Sequence, residues 1–417
     1  MSGLLKMRKM NNPVMYVLEY LIMICVIVAS NSIWVQADVG MIDIIRLRLL
    51  TFALIAVWVL SGKRITAISA VDLFPMVLAA GCMLLYSVIH YRWLSDAYIG
   101  SFFPMLAFAL MAVLARNQGR LTNIIAKFVN VMAALAVESL IFFVLVNFLH
   151  VLHPTGYVHM EWSWIERVPS YYNIYYNPMP LGLQGYTLPR NCAIFPEGPM
   201  FCYPLCIALL FNEFMLPRKS KVKRIILLVA ILSTLSTTGY LLLTMVIVYQ
   251  FIAAGRRGSQ LSKLMLVPLI LLAGVAVVIN ILEGKLGTGS YSVRSDHVIA
   301  SFKCFFATKG LGCGIGNSDY LKRFMRYKQG AACGIPIMFA QGGIFWPAAY
   351  LIPMITSGVK MLKRRQYDRL FCCVALSYLL FVTACHGKNV TWFAYGVTVF
   401  PVSQERRRVP SRLLTGL

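Results

Sequence analysis

The chain is short of charge, and shortest of all in acids. Only 13% of its 417 residues are Asp, Glu, Lys or Arg, with 15 acids against 39 bases. A soluble domain carries roughly a quarter charged residues. That scarcity, with 59% hydrophobic residues and a mean hydropathy of +0.71, excludes an ordinary water-soluble fold. No CxxC pair and no zinc-ligand spacing occurs among the eleven cysteines and six histidines, so neither a metal nor a cofactor is expected. Most cysteines (Cys25, Cys82, Cys202, Cys206, Cys372, Cys373) lie inside apolar stretches, where a thiol packs as a small hydrophobe. Cys192, Cys304, Cys313 and Cys333 fall in more polar segments, and they read as loose thiols. There is no internal repeat and no low-complexity tract. The net charge of +24 comes without a basic-aromatic strip or nucleic-acid motif, so nucleic acid is not an expected partner.

What the chain has is apolar runs. A spanning helix needs about 20 mostly apolar residues, and candidates fall at 14–36, 44–60, 71–90, 98–115, 124–149, 199–216, 262–282, 336–357, 370–385 and 390–402. Lys6, Arg8 and Lys9 precede the first, which reads as a retained helix rather than a cleaved leader. The stretch 221–257 is long for one span and short for two, and Thr234-Leu-Ser-Thr-Thr-Gly-Tyr240 interrupts it. Basic residues gather on the cytoplasmic side of spanning helices. Reading 221–257 as a hairpin puts twelve basic residues downstream, from Arg256 to Arg412, in the cytoplasm. Reading it as one span leaves nine there, most of them in one long loop. The hairpin is therefore expected. The fold class that follows is an all-α polytopic integral membrane protein with about 12 transmembrane helices, both termini cytoplasmic, in a single domain over residues 1–417. Two large periplasmic loops, near 150–198 and 283–335, are the expected seat of function, since loops on a rigid scaffold carry it.

The first loop is rich in aromatics (Tyr157, Trp162, Trp164, Tyr171, Tyr172, Tyr175, Tyr176, Tyr186), which suit the membrane boundary or stacking on sugar rings. It ends in Arg190-Asn-Cys-Ala-Ile-Phe-Pro-Glu197-Gly-Pro199, placing Arg190 and Glu197 at the mouth of an apolar span. The second loop holds Lys285, Arg294, Lys303, Lys309, Lys322, Arg323, Arg326 and Lys328 against Glu283, Asp296 and Asp319. This excess of positive charge on the disfavoured side calls for an anionic ligand or a plain solvated loop. Residues 290–306 read as a short amphipathic helix, with Val298, Ile299, Phe302 and Phe306 at helical spacing and Arg294 and His297 on one face. Gly310-Leu-Gly-Cys-Gly-Ile-Gly-Asn317 permits either a tight turn or an anion cradle of backbone amides. Glu138 lies mid-span and is expected to hydrogen-bond a neighbouring helix.

These patterns, in this order, resemble the O-antigen and capsular repeat-unit polymerases (Wzy-type), relatives of the O-antigen ligases. The resemblance runs over about 190–353: the Arg190…Phe-Pro-Glu197-Gly segment before a helix, the Thr234-Leu-Ser-Thr-Thr-Gly break, Ser292-Val-Arg294-Ser-Asp296, the glycine turn to Asn317, and Ala340-Gln-Gly-Gly-Ile344. It implies a metal-independent glycosyltransferase of the bacterial inner membrane, taking an undecaprenyl-diphosphate-linked oligosaccharide and working beside a chain-length regulator and a flippase. On that basis Arg190 and Arg294 are expected to hold the donor diphosphate, with Lys303 assisting, and Glu197, Asp296 or His297 to act as general base. Asn317, His386 and Lys388 are expected to complete the substrate cleft. The ligases carry His-Asn where Cys333-Gly-Ile-Pro336 stands here, so no histidine transfers to that position. An O-antigen ligase is the neighbouring alternative, and a lipid-oligosaccharide flippase or other transporter is the alternative of a different class.

Overall fold

A computed structural model of the protein describes residues 13–36, 41–61, 70–91, 94–160, 167–178, 181–183, 186–255, 289–327 and 333–400. The expected span at 262–282, Lys285, Lys328, Trp162, Trp164 and both chain ends lie outside these residues. The helices are α1 (Pro13–Val28), α2 (Ile33–Gln36), α3 (Ile44–Ser61), α4 (Ala70–Ile89), α5 (Asp96–Asn117) and α6 (Leu121–Asn147). After a small β region come α7 (Gly198–Leu210, prolonged by a wider turn over Phe211–Met215), α8 (Lys221–Ser233), α9 (Thr237–Gly255), α10 (Gly289–Ala307) and α11 (Ser318–Lys322). The last four are α12 (Gly334–Gly342), α13 (Phe345–Lys363), α14 (Tyr367–Val382) and α15 (Asn389–Val399).

Helices dominate because a backbone in lipid must satisfy its own hydrogen bonds. Four elements, Ile44–Ser61, Asp96–Asn117, Leu121–Asn147 and Gly198–Met215, are long and apolar enough to cross a membrane, and Pro13–Val28, Leu73–Ile89 and Thr237–Ala253 are shorter apolar helices. The outward faces agree: Leu60 is 82% and Val88 71% exposed, among many large apolar side chains left uncovered. In water that surface would drive association; in lipid it is the solvated face. The chain is an all-α membrane protein. At its centre stands α7, with 89% of its span buried, whereas only 22% of α3 is. Every residue of α15 is buried too. Around them α13 lies along α4, α15 along α5, α3 along α1 and α8 along α6.

Glu213, at the end of α7, fixes the geometry of 221–257. It takes a bidentate Arg224 at 2.6 and 2.8 Å and also Gln250 Nε2 at 3.2 Å. Arg224 opens α8 and Gln250 closes α9, so the two helices run antiparallel as a hairpin. Its turn is Thr234-Leu-Ser236, with Leu235 at φ +47°. At the same end of the bundle Glu19, fully buried, takes Arg120 Nε at 2.7 Å, Trp58 Nε1 at 3.2 Å and Lys127. The opposite end carries the long loops.

The first loop is folded, which the all-α expectation did not include. Strands β1 (Gly156–His159), β2 (Arg167–Tyr171) and β3 (Tyr175–Tyr176) form an antiparallel sheet with Gly156 opposite Ser170 and Ser170 opposite Tyr176. A hairpin of β4 (Leu181–Leu183) and β5 (Tyr186–Leu188) follows. Tyr175 and Tyr176 are fully buried. Phe142 stacks on Tyr175 at 5.6 Å, and Trp34 Nε1 donates to the Asn173 carbonyl at 2.7 Å. Tyr171, Tyr175 and Tyr176 are therefore the core of a cap seated on α2 and α6, while Tyr157 and Tyr172 stay exposed. The first expected span also ends early, at Val28, where Asn31 turns the chain at φ +72°.

The amphipathic helix expected over 290–306 is α10. Its buried stripe is His297, Ala300, Ser301 and Cys304, packed against α12, while Ile299, Phe302 and Phe306 point outward. Aromatic and aliphatic residues outward, small and polar ones inward, is the arrangement of a helix at the acyl boundary. The glycine turn behind it is a clamp. Gly310, Gly312, Gly314 and Gly316 all have left-handed φ, from +79° to +106°. The amides of Cys313 and Gly314 reach the Ala340 and Gln341 carbonyls at 2.9 and 3.0 Å, and Ile344 N reaches the Gly310 carbonyl at 3.0 Å. The expected continuous span 336–357 is broken there, at Gly343 (φ +58°), into α12 and α13. With its amides so engaged, the turn is a structural one rather than an anion cradle.

A side chain has no room in this clamp: a Cβ at Gly343 would strike the Gly310 and Leu311 backbone, and one at Gly312 would lie 2.5 Å from the Gln341 oxygen. Gly312→Ala and Gly343→Ala are each expected to cost about 2 kcal/mol or more, read as a lower Tm in detergent. Gly81→Ala, with open space in α4, should leave Tm unchanged or raise it. Equal Tm values for all three would remove the clamp.

Candidate functional site

At the loop-bearing end two helices stop inside protein, and each presents carbonyl oxygens with no partner of their own. The first is α8. Arg190, on the segment between β5 and α7, donates Nε to the Thr234 carbonyl at 3.0 Å and approaches the Leu235 carbonyl with Nη2 at 3.4 Å. The second is α14, whose last residue Val382 accepts Nη1 of Arg294 at 3.1 Å. A cation at a helix C-terminus also meets the negative end of the helix dipole. Each guanidinium has five N–H groups, and these bonds leave donors on both.

Glu197 lies near both. It is the N-cap of α7, in extended conformation (φ −148°, ψ 149°), and its side chain makes no capping bond. Burial pushes its carboxyl above the ordinary range, and the nearby Arg190 and Arg294 pull it back down. Neither arginine forms a direct salt bridge with an acid among the described residues. The simple ion-pair alternative is thus not the arrangement found: the cations sit on carbonyls, and the carboxylate stands near both. Gly198 makes this possible. A Cβ there would lie 2.6 Å from the Thr234 oxygen and 3.0 Å from Arg190 Nε. Gly239 repeats the device one turn away, against Cys202 Sγ at 2.5 Å. Tyr378 Oη reaches the Thr238 carbonyl at 3.3 Å, tying α14 to the same turn.

The other expected site residues have surroundings of their own. Asp296 accepts the backbone amides of Arg326 and Tyr327 at 2.7 and 2.9 Å, so its carboxylate organises the loop. His297 is 2% exposed, turned inward from α10. Asn317 caps α11 through Tyr320 N at 3.2 Å and donates to the Cys313 carbonyl at 3.0 Å, a structural duty at both ends. Lys303 is exposed on α10 and joins neither arginine. Glu138 has no hydrogen bond on either carboxylate oxygen among the described residues, so it does not make the interhelical bond expected of it.

His386 and Lys388 lie beyond Val382, on the connection to α15. The His386 ring stands edge-on to Trp346 at 4.9 Å and 77°, and its backbone carbonyl accepts the Tyr350 hydroxyl. Burial, with help from Lys388, lowers its pKa to about 3, so the ring is neutral at neutral pH. Arg48 on α3 was not foreseen. A signal for it was present: Arg46 and Arg48 stand in the first turns of an apolar span, where charge is costly. The carbonyls that hold the two arginines carry no sequence signal, because every residue has one.

The His386 shift has a definite sign. A histidine with a depressed folded pKa adds stability above its unfolded value near 6.5, and that stability is lost as pH falls towards about 3. Between pH 7 and pH 4 the wild type is expected to lose on the order of 2 kcal/mol more than His386→Gln, a figure reduced for the partial exposure of the ring. Parallel Tm-versus-pH curves for the two proteins would contradict this.

No protein-family model matches the chain, and no curated sequence does; the chemistry of these side chains is what the functional reading has to stand on.

Proposed function

We propose that the chain is an oligosaccharide repeat-unit polymerase of the bacterial inner membrane, with about 12 spans, both termini cytoplasmic and the two long loops periplasmic. It moves a growing glycan from undecaprenyl diphosphate onto a sugar hydroxyl of an incoming lipid-linked repeat unit. The observation that carries this reading is that Arg190 and Arg294, 104 positions apart in the chain, both lie near Glu197 at the loop-bearing end of an apolar bundle.

The chemistry suits such a pair. As the bond from the anomeric carbon to the diphosphate oxygen breaks, that oxygen takes the electron pair and charge grows on the lipid diphosphate. Guanidinium groups stay protonated and grip phosphate through paired N–H donors. Fixed in advance by helix-end carbonyls, they need little reorganisation as that charge develops. The acceptor oxygen bonds the anomeric carbon and its proton passes to a base. With Asp296 engaged by amides and His297 enclosed, Glu197 is the carboxylate left in place, and a raised pKa suits a general base. The resemblance to the Wzy-type polymerases places the same segments at the site.

Arg190→Ala and Arg294→Ala are each expected to cut polymer by 100-fold or more, about 2.7 kcal/mol, while single repeat units still reach the surface. Arg→Lys at either position should restore only part, because the paired donors are lost. Glu197→Gln should abolish the acidic limb of the rate profile. Normal chain lengths in the two alanine variants would overturn the proposal.

A further inference from the structure

We infer that the outer end of α3 and the corner between α14 and α15 form a second anion site, built to take the phosphate ester of a membrane lipid. The guanidinium of Arg48 lies so close over Gly100 that a methyl group there would collide with Nη1. The neighbouring Ser101 brings its Oγ within 3.3 Å of where a Cβ on Gly387 would be. Gly100 and Ser101 are adjacent on α5, so Arg48 and the Gly387–Lys388 corner meet on one helical turn. Burial holds the Lys388 ammonium below its ordinary range, and Arg48 depresses it further while Cys385 opposes them. Two cations therefore face one another in a poorly solvated place.

Nothing among the described residues neutralises them. Neither is in a salt bridge with a carboxylate, and Arg48 Nε is buried with no hydrogen bond. The next residue, Asn389, is 1% exposed, and neither its Oδ1 nor its Nδ2 has a partner. His386 Nδ1 and Trp346 Nε1 are in the same condition. Unmatched buried polar groups cost several kcal/mol together. At the opposite end of the bundle buried cations have an acid: Arg120 and Lys127 share Glu19. Buried cations gathered without an acid call for an anion from outside.

The position says where that anion comes from. Arg48 stands four residues into α3, about 6 Å along its axis, at the depth of lipid headgroups. α3 is the most exposed of the four long helices, and Ile45, Leu49 and Leu50 beside Arg48 are open to the outside. Access is therefore sideways from the leaflet. A guanidinium and an ammonium together match a phosphate ester in charge and donor number. This site goes beyond the arginine pair around Glu197. Only the identification of its occupant as the second, acceptor lipid diphosphate rests on the proposed polymerase reading.

The test uses the full-length protein in neutral detergent, with bound lipid counted by native mass spectrometry. Phosphatidylglycerol and a polyprenyl diphosphate are titrated separately, with inorganic phosphate as competitor and diacylglycerol as the phosphate-free control. At least one phosphate lipid should bind, diacylglycerol should not, and Arg48→Gln or Lys388→Gln should weaken binding tenfold or more, with Arg48→Lys recovering part of it. In delipidated protein Lys388→Met should raise Tm, because it removes an uncompensated buried charge. Unchanged lipid binding in both Gln variants, or a Tm that falls in Lys388→Met, would overturn the inference. Inorganic phosphate displacing the lipid at equal concentration would overturn the lipid assignment. Loss of lipid binding in these variants, with normal polymer in Arg190→Ala, would leave this site standing and remove the polymerase reading instead.

Discussion

The loop-bearing end of the bundle is organised by one contact, the Arg190 guanidinium against the carbonyls of Thr234 and Leu235. α8 ends within the protein after 13 residues, and just past its last turn the carbonyls of Thr234 and Leu235 have no further turn of helix to bond. Arg190 supplies the missing donors. To reach them it must pass over the start of α7, which is why a glycine stands at 198. That approach in turn brings Glu197 beside the guanidinium. Arg294 on the Val382 carbonyl is the same solution at the end of α14. Removing either side chain would expose carbonyls in a place that cannot hydrate them.

The two ends of the bundle treat charge in opposite ways. At the end holding Glu19 and Glu213, buried acids take Arg120, Lys127 and Arg224 in direct contacts, and the basic residues are neutralised within the fold. At the loop-bearing end Arg190, Arg294, Arg48 and Lys388 have no such contacts among the described residues. A buried charge left without its partner is strongly destabilising, and the two proposed anion sites fall where the described cations lack an acid. The polarity of the molecule lies in that difference more than in its count of basic residues.

The membrane class, the hairpin at 221–257, the helix over 290–306 and the glycine turn were legible because each rests on local pattern: apolar length, charge asymmetry, helical spacing, and glycines at alternate positions. The candidate pair Arg190 and Arg294 was reached through the loop motifs that carry the family resemblance. What they touch was not legible. Their partners are main-chain oxygens, and a sequence does not say which turn of which helix will end near which side chain. The buried aromatic cap was misread for a related reason, since Tyr171, Tyr175 and Tyr176 have the composition of an interface belt and become a core only through β pairing. Asp296, His297 and Asn317 look like chemistry and are occupied by architecture. Arg48 could be reached only by noticing two arginines opening an apolar helix.

The brevity of α8 has one more consequence. Thirteen residues of helix cover about 20 Å, against roughly 30 Å of hydrocarbon, so a helix of this length ends short of one boundary of such a layer, and the turn that Arg190 holds is set back with it. Mobile ions damp charge in open solution over about 8 Å under physiological conditions, but they penetrate such a recess poorly. Attraction there is then governed by fixed dipoles and guanidinium placement, and it persists in brine that would silence the same charges on an open surface.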